Sequence, residues 1–174
     1  ALVYQYLKEG IHGLNFDKSN VITSALLRAF AIAGSGDKAD IEQGYGNLNL
    51  SRILIYPNLD FGSGLRFYSD KINHNEFISF FVKTDHIGSL SVSLAWIDVP
   101  INLQSLYPLF SYFEFYLIGP DGNVYDVEEQ FSTSKKIVIN DAPVGTYEIR
   151  LRMNQIVPSE YSVDYSIVIV GPFD

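Results

Sequence analysis

Few side chains in this sequence stand at the spacings that chemistry needs. The three histidines, His12, His74 and His86, sit in turn-like contexts, and none belongs to an H-E-x-x-H helix or to another metal-ligand spacing. They read as surface histidines. The tripeptide GSG occurs at 34–36 and 62–64, but neither copy is the G-x-S-x-G elbow, whose serine is exposed by a sharp strand-to-helix turn. Both read as flexible turns. Asp126, Glu128 and Glu129 have the chemistry of an acid/base pair or a calcium corner, yet no acidic partner stands at a diagnostic spacing, and a solvated loop is the simpler reading. Tyr107, Tyr112 and Tyr116 would stack on sugar rings if they shared a sandwich face, although cross-strand packing of aromatics accounts for them equally well. With no cysteine anywhere, disulfides, thiolate metal sites and a cysteine nucleophile are excluded.

The elements that would position these residues change character along the chain. In "ALVYQYLKEG", Leu2 with Tyr6 and Val3 with Leu7 pair at i,i+4, and Gly10 stands where a helix commonly closes in the left-handed region. "SNVITSALLRAFAIAGSG" predicts a second helix over 21–33, with Ser19 or Asn20 as N-cap, Arg28 its one charge and Gly34 its stop. A helix apolar nearly all round needs cover on several sides, so the first fifty residues look like a piece of a larger core. Beyond about residue 64 the period becomes two. Leu90, Val92, Leu94 and Trp96 alternate with Ser91, Ser93 and Ala95, which predicts a half-buried strand, and 146–153 repeats the pattern. Further strands are expected at 65–68, 77–83, 111–118, 124–126, 136–139 and 161–170, separated by the turn sequences "GPDGN", "NDAPVG" and "VPSE". About eight strands in roughly 110 residues predict a mainly β chain, a helical fragment followed by a β-sandwich of jelly-roll type. The boundary falls in the linker "YPNLDFGSG", giving 1–60 and 61–174 as the two parts.

Composition narrows the partners. Twenty acidic against twelve basic residues give a formal charge of -8, so a grip on nucleic-acid phosphates or an anionic membrane has no electrostatic source. At 47% apolar residues a buried core is expected, but no run reaches the roughly 18 residues of a membrane span. The first residues carry no basic segment with a cleavage site.

In order and spacing, "ALVYQYLKEG", "SALLRAFAIAGSGD" and "QGYGNLNLSRIL" resemble the last part of the catalytic domain of subtilisin-like serine proteases. There the first helix continues the one bearing the nucleophilic serine, and a Gly-Tyr-Gly-x-x-Asn turn closes the domain. Gly44 and Gly46 would permit that turn around Tyr45, Asn47 or Asn49 would satisfy local backbone groups, and Leu48, Leu50, Ile53 and Leu54 would pack the last short helix on the core. "LSVSLAWIDVP", "FYLIGPDGNVY", "KKIVINDAPVGTYEIRLR" and "YSVDYSIVIVG" look like the jelly-roll domain appended to secreted bacterial and archaeal members of the family.

The resemblance implies a C-terminal portion of a secreted serine endopeptidase. Its Ser-His-Asp triad would lie outside this sequence, so Ser35, His12 and the aspartates receive no catalytic role. The expected partners are the remainder of the catalytic domain and protein substrates, the expected location is extracellular, and a signal peptide and propeptide are expected on the full precursor. In the relatives the jelly-roll packs against the catalytic domain and often binds calcium. Asp98, in "WIDVP", matches a carboxylate of that site, and Glu114 stands for another, whereas Tyr112 replaces a third and "FSTSKK" supplies none. Calcium takes six to eight oxygens, so the site implied at Asp98 and Glu114 is weak or absent. A noncatalytic binding or adhesion module, carbohydrate-binding through its sandwich aromatics, is the alternative reading.

Overall fold

The alternating segments become eight antiparallel strands in the computed structural model, which describes residues 1–10, 22–39, 42, 44–54, 64–98, 109–127, 132–155 and 161–173. They are β1 (Gly64–Ile72), β2 (Phe77–Thr84), β3 (Gly88–Trp96), β4 (Ser111–Ile118), β5 (Val124–Asp126), β6 (Ser134–Ala142), β7 (Gly145–Gln155) and β8 (Val163–Gly171). One sheet has the order β1-β8-β3-β6 and the other β2-β7-β4-β5. That pairing, four strands against four with every neighbour but the β4–β5 hairpin distant along the chain, is the jelly roll. The chain is mainly β, as expected; β4 and β5 keep their expected bounds, β8 starts two residues later than expected, and β1, β6 and β7 run beyond what the alternation alone predicts.

Two hydrophobic layers hold the structure. Between the sheets, the inward residues of each strand interdigitate around Trp96, Phe113 and Tyr165, with ring centroids 4.8 Å apart for Trp96–Phe113 and 6.2 Å for Phe113–Tyr165. Tyr147 is buried there too and donates its hydroxyl proton to Pro143 O at 2.9 Å, which satisfies its polar end. The second layer lies on the outer face of the first sheet. There α1 (Leu2–Glu9) and α2 (Ser24–Ala33) join a short 3-10 turn at Leu50–Arg52 in covering Leu65, Ala95 and Val168.

Local signals explain most of the helical part. α1 closes at Gly10 with φ 69°, the left-handed stop expected of it, and buries Tyr6 and Leu7 while Leu2 stays 60% exposed. α2 starts later than its apolar run. Its N-cap is Thr23, whose side chain accepts from Leu26 N; Ser19, Asn20 and Val21 lie outside the described residues. Gly34 stops it, but in the right-handed region, because the chain turns back by close backbone contact instead of a left-handed step.

The strand β3 corrects one expectation. Its outward residues were read as facing solvent, yet Ser93 and Ala95 are fully buried. Serine and alanine there are small before they are polar, and the space they leave is filled by α2. The cover that the apolar helix requires is therefore supplied on one side by the sheet.

Candidate functional site

The join between α2 and the first sheet is the most elaborately bonded place among the described residues, fastened at three levels. Register sets the stage: Phe67, Val168, Ser93 and Lys136 lie abreast across β1, β8, β3 and β6, all pointing outward. At the start of the helix, Thr23 Oγ1 lies 3.5 Å from Ser166 Oγ, which is 2.7 Å from Ser69 Oγ. In the middle, Arg28 Nη1 donates to Thr133 Oγ1 at 2.5 Å and to Trp96 O at 3.3 Å. Phe30 meets Phe67 edge to face, with centroids 5.4 Å apart.

The third level is a lysine. Lys136 Nζ donates to Ile32 O, Ala33 O and Gly36 O at 3.2 Å and to Ser35 O at 3.0 Å. Three ammonium protons are thus shared among four carbonyls. Ile32 and Ala33 end α2, Ser35 and Gly36 follow its cap, and a cation there meets carbonyls of the last turn and the negative end of the macrodipole. The side chain is only 1% exposed, while the nearest carboxylate, Asp37, is 4.0 Å away and is also reached by Arg52 at 3.4 Å. Arg52 donates in addition to Ser35 O at 3.0 Å.

The tripeptide 34–36 is packed and not a free turn. Gly36 N donates to Tyr45 O at 2.6 Å and Asn49 N to Gly34 O at 2.8 Å, so two backbone segments lie side by side. A Cβ on Gly36 would stand 2.9 Å from Tyr45 O, which is why glycine occupies the position. Gly44 and Gly46 flank Tyr45 with φ 58° and 72°, the turn expected of them. Asn49, not Asn47, caps the Leu50–Arg52 turn by accepting from Ser51 N. Ile53 is fully buried and Leu50 and Leu54 pack beside it, but Leu48, expected in the core, is 46% exposed.

Burial pulls the Lys136 ammonium down to about 8; Asp37 opposes that shift and Arg52 adds to it. Between about 8 and 10.5 the unfolded chain keeps a proton that the folded chain has released, so stability rises with pH in that window. Above it the trend reverses. Burial pushes Tyr147 up to about 12 and Tyr165 higher still, so beyond the ordinary tyrosine value of 10 the folded state holds protons that the unfolded state has lost. Urea unfolding across this range is expected to show a maximum near pH 10, and in Lys136→Met the rise below it should vanish while the fall above it stays.

Beside the lysine runs a cleft of about 820 Å³, lined among others by Asp37, Lys38, Tyr125, Asp126, Lys136 and Val138. Asp126 is the member of the predicted acidic trio that the structure describes; Glu128 and Glu129 lie outside the described residues, as do His12 and Tyr107. His74 accepts from Gln155 N at 3.0 Å through Nδ1, and His86 is exposed. Ser35 donates its hydroxyl to Ala31 O at 2.7 Å. Tyr112 and Tyr116 do share a face, the outer one of the second sheet, where Tyr112 is 44% exposed.

Asp98 and Glu114 have separate employments. The Asp98 carboxylate accepts from Phe110 N at 2.7 Å and Ser111 N at 3.0 Å, tying the end of β3 to the start of β4. Glu114 projects from the outer face of β4 and accepts from Asn154 Nδ2 at 3.0 Å. Both carboxylates are thus engaged by protein donors, and among the described residues no three His, Cys, Asp or Glu side chains gather around a common point, whereas calcium takes six to eight oxygens. Chelation with EDTA is accordingly expected to leave the thermal midpoint within about 1 °C, since a ligand stabilises only where it binds the folded state. A fall of several degrees would establish a calcium site.

The sequence is 25% identical, over 97% of its length, to a Dictyostelium discoideum protein named serine protease/ABC transporter B family protein tagA. The chain spans 11% of that relative. No family model matches. Among solved structures, the infectious bursal disease virus VP2 subviral particle shares 15% identity at a TM-score of 0.37, covering 68% of this chain and 36% of that one. A family GH115 4-O-methyl-α-glucuronidase, BtGH115A, shares 12% at 0.36, covering 58% and 14%. The periplasmic lysozyme inhibitor PliG of Aeromonas hydrophila shares 12% at 0.35, covering 62% and 83%. Likenesses this distant carry no functional argument. Among the described residues no helix is long and apolar enough to cross a membrane.

Lys136 was not singled out by sequence. In "SKKIVIN" nothing distinguishes it from Lys135, whose Nζ donates to Val127 O at 3.0 Å. Strand parity would have separated them only once the outer face was known to carry a helix.

Proposed function

We propose that this chain is a C-terminal portion of a secreted subtilisin-like serine endopeptidase, with residues 1–60 ending the catalytic domain and 61–174 forming a jelly roll that holds that end in place. The observation that carries the reading is the clasp: α2, in the segment that resembles the catalytic domain, is docked on the sheet through Phe30, Arg28 and the buried Lys136. The similarity to a serine protease-named protein along nearly the whole sequence supports it. On this reading acyl transfer belongs to a triad outside the chain, protein is the substrate, and the β-domain acts by stabilising the catalytic domain or positioning substrate. Labelling the native protein with a fluorophosphonate probe tests it. The label should appear on a polypeptide that contains or co-purifies with this sequence; its absence from every such polypeptide would refute the proposal. A carbohydrate-binding module is the second reading, favoured by the exposed Phe77, Phe81 and Tyr112 on the outer face of the second sheet, and retention on a glycan resin would distinguish it.

A further inference from the structure

We propose that Asn49 is an acceptor for N-linked glycosylation, an assignment that rests on the secretory part of the reading above. Asn49-Leu50-Ser51 is an N-x-S triplet with no proline in the middle, and no other asparagine in the sequence is followed at the second position by serine or threonine. Such a triplet becomes an acceptor only where an enzyme reaches the amide, and here both polar members are exposed. Leu50, between them, is half-buried against the helical core. The apolar middle residue thus anchors the turn while its neighbours face outward.

The geometry is specific to the triplet. Ser51 Oγ donates to Asn49 Oδ1 at 2.7 Å and Ser51 N to the same oxygen at 3.1 Å. Both bonds hold the carboxamide by its oxygen, so Nδ2, the atom that takes the sugar, is committed to neither. In the transfer, Nδ2 forms a bond to the anomeric carbon of a lipid-pyrophosphate-linked oligosaccharide. The bond from that carbon to the pyrophosphate oxygen breaks, the lipid pyrophosphate leaves with the electron pair, and the amide loses one proton. The glycan would stand beside Leu48, which is 46% exposed, and shield it from water. It would also hold the surface around 46–51 open to solvent, so further polypeptide must pack elsewhere, including against the exposed Leu2 and Tyr4 of α1.

The test is peptide mapping of the native protein after digestion with peptide N-glycosidase in heavy-oxygen water. Asn49 should be recovered as labelled aspartate. Ser51→Ala, which removes the hydroxyl but keeps the capping bond from residue 51 N, should lower occupancy at least tenfold, and Ser51→Thr should preserve it. An unmodified Asn49 on a secreted, fluorophosphonate-reactive protein would overturn the site and leave the protease reading intact. An unmodified Asn49 on a protein retained in the cytosol would overturn the site together with the secretory reading. A glycan that survives Ser51→Ala would equally refute it.

Discussion

Lys136→Met is expected to lower the free energy of unfolding by about 3 kcal/mol, although methionine nearly conserves the volume of the lysine stem. The loss comes from the carbonyls left behind. Ser35 O keeps the Arg52 guanidinium and Ile32 O keeps the Ser35 N–H, but Ala33 O and Gly36 O lose the cation that served them. Each stranded buried acceptor costs roughly 1–3 kcal/mol. Relief of a desolvated charge works in the opposite direction, and burial already weakens the ammonium enough to bring its pKa to about 8. The stranded acceptors outweigh it because Arg52, the other cation beside this helix end, is already spent on Ser35 O and Asp37. Chemical denaturation at pH 7 reads the total, and hydrogen exchange reads its location: protection should fall first in the last turn of α2 and in 45–49, and last between the sheets. A loss below about 0.5 kcal/mol would show that water replaces the ammonium at no cost and that the lysine is no clasp.

The jelly roll was legible because its strands obey one rule. Inward residues such as Leu90, Val92, Leu94 and Trp96 are large and apolar, and their burial needs only the period of two. The turns were legible through glycine: Gly10, Gly44 and Gly46 take the positive φ that their contexts predict. What alternation hides is the identity of the outer layer. Ser91, Ser93 and Ala95 look the same to a pattern whether water or a helix faces them, and only the apolar circumference of α2 hinted that some surface had to receive it. The clasp was illegible for a related reason. Its members, Thr23, Arg28 and Lys136, come from residues up to 113 apart by sequence, and each bonds partly to backbone, which carries no sequence signature. Asp98 was legible as a special residue but not in its role, since a carboxylate that gathers two backbone N–H groups and one that ligates a cation look alike until their partners are known.

Phe30→Ala should cost the most of any single change at the join, about 3–5 kcal/mol, and should separate the two hydrophobic layers energetically. Phe30 is fully buried, sits edge to face against Phe67 and shares its layer with Leu26, Ile53, Leu65 and Val168. Removing the ring forfeits its transfer energy and leaves a cavity that the rigid sheet beneath cannot close, because β1, β8 and β3 are held in register by their ladders. The layer between the sheets contains none of these residues and keeps Trp96, Phe113 and Tyr165 in place. The helical layer should therefore open before the sandwich: amides of α1, α2 and 45–54 are expected to exchange at a free energy lowered by nearly the whole amount, while those of β3, β4, β7 and β8 change less. Equal loss in both sets would mean that the layers unfold as one unit. Unequal loss would make the join an independent hinge of stability, the property required if the sheet serves to hold the end of another domain.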